Sequence, residues 1–129
     1  MKALRVLAVL LALSLMIGEL WRSSGAGRPF AFVIDDQIIG GFLLVAAYAM
    51  RIDTIRTRSA FAAAWGMSAG MLYGSFFGKL VTPETINAGN WDLGILTWLV
   101  GLAFVVALLG LAATLALPLA PTDKLGTQS

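Results

Sequence analysis

Apolar residues fill four long stretches of this chain, at 4–21, 30–51, 59–78 and 93–117, and short polar segments separate them. About 20 predominantly apolar residues are what a helix needs to cross a bilayer core. The pattern predicts an all-α integral membrane bundle of four transmembrane helices, one domain over residues 1–129, with a polar C-terminal tail over 118–129.

The first stretch opens with Lys2 and Arg5, continues through Val6 to Gly18 and ends on Glu19, Trp21 and Arg22. Its basic start, its apolar run and the small-x-small segment Ser24-Gly25-Ala26 also fit a cleavable signal peptide. Glu19, Trp21 and Arg22 stand before that site, where charge and bulk are unusual. A retained helix is therefore expected, with Arg5 reaching back to water and Trp21 at the interface. Ser23 to Arg28 is turn-rich, and Pro29 suits the first position of the second helix. That helix poses a length problem. Fourteen uncharged residues separate Asp36 from Arg51, about 21 Å of helix against a hydrocarbon core of roughly 30 Å. The apolar run Phe30 to Ile34 favours a longer helix that starts near Phe30 and carries Asp35 and Asp36 inside its outer end.

Arg51 to Arg58 is a short basic loop. The third stretch then carries Gly66, Gly70, Gly74 and Gly78 at four-residue spacing, and Ala62 extends the row by a turn. Small residues in register let a neighbouring backbone approach closely, which is how helices associate in lipid. The row is expected to be a helix-packing seam, facing Gly40, Gly41, Gly94 or Gly101 within the chain or else a second chain. Phe61, Trp65, Leu72 and Phe76 fall on the opposite side at 100° per residue. Lys79 to Asp92 forms a polar loop, in which Thr82 and Pro83 suit a helix start as cap and first residue. Pro118 and Pro121 end the fourth helix.

Composition agrees with a membrane class. The chain is 59% hydrophobic and 12% charged, with a mean hydropathy of +0.87, about half the charged fraction of a soluble domain. The lipid bilayer is thus the first partner, and a net charge of +2 from scattered residues does not suggest nucleic acid. Cys and His are absent, which removes disulfides, thiolate chemistry, the usual zinc sites and His-based nucleophile activation. No cofactor is expected. Arg outnumbers Lys six to three, a compositional hint of a bacterial source and hence of the inner membrane. Lys2, Arg5, Arg51, Arg56, Arg58 and Lys124 would share one side of a four-span protein, against Arg22, Arg28 and Lys79 on the other. The positive-inside rule then places both termini in the cytoplasm.

Candidate chemistry is confined to charges near the outer end: Glu19, Arg22, Arg28, Asp35, Asp36 and Lys79. Adjacent helical residues point about 100° apart, so at most one of Asp35 and Asp36 faces the bundle. Glu19 resembles, by position type, the single carboxylate of small proton-coupled exporters. It lies at the helix end, however, where an i, i+3 salt bridge with Arg22 is the simpler expectation. Ser75 and Lys79, four apart, could approach as a dyad, whereas a lysine at the membrane boundary usually snorkels to water. The leading expectation is a non-enzymatic accessory subunit or homo-oligomer packing through the glycine-rich third helix. The alternative is a small transporter or channel protomer using the outer carboxylates.

Overall fold

The computed structural model describes residues 1–25, 30–86 and 88–118. Among them are four α-helices: α1 (Lys2–Ser23), α2 (Phe30–Ala49), α3 (Ile55–Val81) and α4 (Leu93–Ala116), with a 3₁₀ turn at Pro83–Thr85. Arg28, Pro29 and the tail beyond Pro118 lie outside the described residues. The longer form of the second helix is the one adopted, so Asp35 and Asp36 lie within α2.

Local chemistry fixes the ends. Thr54 caps α3 in a reciprocal box, its hydroxyl accepting from the Thr57 N–H while Thr57 accepts from the Thr54 N–H. Asp92 caps α4 by accepting from the Ile95 N–H at 3.1 Å. Thr82 stands at the N-cap of the 3₁₀ turn with Pro83 as its first residue, as expected, but its side chain makes no capping hydrogen bond there. α3 continues to Val81, and the Thr82 hydroxyl donates to the Gly78 carbonyl at 3.1 Å.

Neighbouring helices run antiparallel. Arg5 Nε donates to the Ala47 carbonyl at 2.8 Å, tying the start of α1 to the end of α2. A cation there satisfies one of the last carbonyls and complements the helix dipole. Arg5 is therefore a helix-end clamp rather than a side chain reaching for water. At the same end Arg58 holds Asp53 at 2.7 Å and donates to the Leu117 and Pro118 carbonyls, latching α3 to the end of α4.

The core forms where α3 meets its neighbours. Phe61 and Trp65 are fully buried and Leu72 is 1% exposed, so the bulky side of α3 is its interior side. The Phe61 and Trp65 rings pack at 5.6 Å, and Trp65 lies so close to Gly110 that a Cβ there would sit 2.5 Å from the indole. Phe76 presses on Gly101 in the same way, at 2.7 Å. Between α1 and α2, Ala8 and Ala12 are fully buried and Met16 covers Gly40. Close approach therefore uses Ala8, Ala12, Gly40, Gly101 and Gly110.

The glycine row of α3 is not a seam within the chain. A Cβ on Gly66, Gly70 or Gly74 would meet nothing within 4 Å, and one on Gly78 only Ile86 at 3.9 Å. The physical reason is volume: the interhelical space around α3 is filled by Phe61, Trp65 and Leu72, and that turns the glycines outward.

Among the described residues, α1 and α4 are long and apolar enough to cross a membrane. In the core of a soluble protein such helices would be buried. Here only 22% of the most apolar window of α1 and 17% of that of α4 is buried. Trp98, Leu102, Leu109 and Leu115 of α4 all face outward. Monomeric soluble proteins rarely expose an apolar surface of that extent.

Candidate functional site

The loop that precedes α4 is tied to the end of α1. Asn90 donates its side-chain amide to the Trp21 and Ser24 carbonyls at 2.8 and 2.6 Å. Its backbone N–H donates to the Arg22 carbonyl at 3.0 Å. The Trp91 indole donates to the Gly18 carbonyl at 3.1 Å. Of these acceptors, the Arg22 and Ser24 carbonyls are ones that a helix end leaves open. Gly89 allows this approach, since its φ is +60° and a Cβ would lie 1.9 Å from the Arg22 oxygen.

Between α1 and α4 lies a cleft of about 1260 Å³. α1 supplies one wall from Leu7 to Arg22, α4 the other from Leu96 to Val106, and Gly70, Met71 and Gly74 of α3 lie on its floor. The missing side chains of Gly70 and Gly74 are part of what keeps it open.

The cleft is apolar along most of its length and charged at one end. Glu19, Arg22, Asp35, Asp36, Ser75 and Lys79 all line it there, with Trp91 at the edge. The expected Glu19–Arg22 pair is present at 3.6 Å, and Ser23 donates a hydrogen bond to the Glu19 carboxylate. Glu19 is 4% exposed, a depth at which a charge needs such partners. Asp36 is half-buried and Asp35 exposed, consistent with the angle between adjacent helical residues. Asp36 lies within hydrogen-bonding reach of Glu19 and in the field of Arg22. Gln37 donates to the Met16 carbonyl at 3.0 Å, holding α2 against α1 at this level.

Lys79 does not snorkel to water. It is 4% exposed, and its ammonium donates to Ser75 Oγ at 2.7 Å and to the Ser75 carbonyl at 3.3 Å. Burial keeps it because the serine one turn back offers two acceptors. Lys79 and Ser75 are thus a buried hydrogen-bonded pair within one helix. Among the described residues no three or more acidic side chains are placed to hold a metal ion.

The sequence singled out Glu19, Arg22, Asp35, Asp36 and Lys79, and the structure brings these to one end of one cleft. Arg28 lies outside the described residues. Ala62 and Gly66 do not line the cleft, and Gly78 meets Ile86. Asn90 and Trp91 went unrecognised as a clamp because their partners are backbone carbonyls 66 to 73 residues away. No protein-family model matches this chain, nor does any curated protein or solved structure in the comparisons made.

Proposed function

We propose that this chain is a four-span membrane protein, both termini cytoplasmic, that works without catalysis by binding a bilayer-soluble amphiphile in the cleft between α1 and α4. The single observation that carries the reading is the cleft itself: an apolar trough of about 1260 Å³ with its polar groups gathered at one end. Ligand sites are mostly apolar with a few convergent polar groups. A trough that opens sideways, in a molecule whose outer surface is apolar, is reached from lipid rather than from water. This gives the outer carboxylates the binding role of the transporter alternative; the clustering of Glu19 with Asp36 favours it.

A second reading rests on α3 alone. Gly66 has open space beside it yet lies outside the cleft, so the glycine row also offers a surface to a second copy or to a larger complex.

The test is saturable binding of a fluorescent single-chain amphiphile to the full chain in mild detergent. Wild type should bind with a defined stoichiometry, and Gly74→Trp, which fills the floor, should abolish saturation without lowering thermal stability. Unsaturable binding, equal in both proteins, would refute the cleft as a site.

A further inference from the structure

Resting on the cleft as a site within a bilayer, we infer that residues 88–92 form a strap that closes its charged end to the aqueous phase. The cleft then exchanges with lipid along its side, and with water only when the strap lets go of α1.

Connectivity places the strap. It follows α3, which gives the cleft its floor, and leads into α4, which gives one wall. Its hydrogen bonds, however, go to the α1 end, the other wall. Asn90 donates three, two from its side-chain amide to the Trp21 and Ser24 carbonyls and one from its backbone to the Arg22 carbonyl. The Trp91 indole donates a fourth, to the Gly18 carbonyl. The segment therefore joins all three sides of the cleft at one end. Trp91 lines that end, together with Ile86 just before the strap. An indole suits a closure at this level, since its ring is apolar and its N–H is polar.

Burial agrees with a closed end. Lys79 lies two residues before the last of α3, and Glu19 four before the last of α1. Charged side chains so near a helix end ordinarily extend to water. These two are each 4% exposed, and their partners Ser75, Arg22 and Ser23 belong to the same helices. Asp35, on α2 rather than on a side that the strap joins, is exposed.

The strap is also placed to release. Asn90 is exposed, so water competes for its hydrogen bonds, and solvent-exposed contacts of this kind open at low cost. Its fit depends on Gly89, whose φ is +60° and whose Cβ would fall 1.9 Å from the Arg22 oxygen. Alanine at Gly89 would hold the strap off α1 by a backbone clash, and alanine at Asn90 would remove two of the four bonds. Neither residue lines the cleft.

Cysteine accessibility tests the strap, because the chain has no cysteine of its own. Gly74→Cys, on the cleft floor, and Leu109→Cys, exposed on α4 outside the cleft, are placed singly in the full chain and reconstituted in bilayer nanodiscs. Gly70→Cys, also on the floor, replaces Gly74→Cys should that variant misfold. The probes are a charged, water-soluble methanethiosulfonate and a lipid-soluble maleimide. With the strap intact, the floor cysteine should react slowly with the charged reagent. Adding Asn90→Ala or Gly89→Ala should each raise that rate at least tenfold, while the maleimide rate stays similar and Leu109→Cys does not respond. A charged-reagent rate that is the same with and without the strap variants would overturn the strap. An equal rise at Leu109→Cys would overturn it as well, since that is a loosened fold and not an opened end. Saturable amphiphile binding separates the two readings. A strap response without such binding leaves the seal standing and removes the cleft's role as a binding site, and binding without a strap response does the reverse.

Discussion

Gly70 and Leu72 are two residues apart on α3 and have opposite surroundings. A side chain added at Gly70 meets open space, whereas Leu72 is 1% exposed and lies within the core cluster. Gly70→Leu should therefore leave thermal stability unchanged or raise it, since leucine is up to about 1 kcal/mol better than glycine in a helix. Leu72→Ala should cost about 2–5 kcal/mol, the range for removing a buried leucine side chain. Thermal unfolding in one detergent compares the two directly. This ordering reverses the expectation from the glycine row, and the reverse result would place the row back in a packed interface. Gly110 is the contrasting glycine. Its Cβ would fall 2.5–2.6 Å from three atoms of the buried Trp65 ring, and an indole wedged between α3 and α4 cannot swing aside as the end of a methionine can. Gly110→Ala should lower stability by about 1–3 kcal/mol, the usual cost of overpacking. Gly40→Ala should be milder, since the nearest atoms there belong to Met16, a flexible side chain.

The four helices were legible as elements because unbroken apolar runs bounded by charge and proline need no tertiary information. Their boundaries fell close: α4 was expected over 93–117 and runs Leu93–Ala116, while α3 gains a turn at its start because Thr54 and Thr57 cap each other. Facing was not legible. In water an apolar stripe marks the inside of a helix, but lipid is as apolar as a core, so periodicity loses that meaning in a membrane helix. Small residues were the remaining cue, and α3 has both a glycine side and an aromatic side. Bulk settled the matter: Phe61 and Trp65 are fully buried, and Trp65 found Gly110 opposite it on α4. The charged end was legible as a set of residues, since ionisable groups in such a chain are few. The clamp between α1 and α4 was not, because Asn90 and Trp91 act on carbonyls that every residue possesses. Asn90→Ala removes two hydrogen bonds to the end of α1, each worth about 0.5–1.5 kcal/mol. The variant should lose about 1–3 kcal/mol in thermal unfolding and exchange amide hydrogens of residues 18–24 faster. Unchanged exchange there would mean that α1 is held by α2 alone.

At the scale of the whole molecule the charges sort by end. Lys2, Arg5, Arg51, Arg56 and Arg58 collect where α1 and α3 begin and α2 and α4 finish, with Asp53 the acidic residue among them. The opposite end holds Glu19, Asp35, Asp36, Glu84 and Asp92, against Arg22 and Lys79 among the described residues. The two described cations of that second end line the cleft. Arg22 is paired with Glu19 and Lys79 bonds to Ser75, so neither is free to anchor a loop at a membrane surface. Among the described residues five of the seven basic side chains lie at the Lys2 and Arg51 end, the end that the proposed topology puts in the cytoplasm by the positive-inside rule. Arg58 latches α4 at this end, and Arg51 stacks over the Tyr48 ring at 4.4 Å. The chain has no cysteine, which makes single-cysteine accessibility a clean measurement. Glu84→Cys, in the turn after α3, should react with a membrane-impermeant maleimide in intact cells. Arg56→Cys, exposed at the start of α3, should react only after permeabilisation. The opposite labelling pattern would invert the topology, and it would place the charged end of the cleft in the cytoplasmic leaflet.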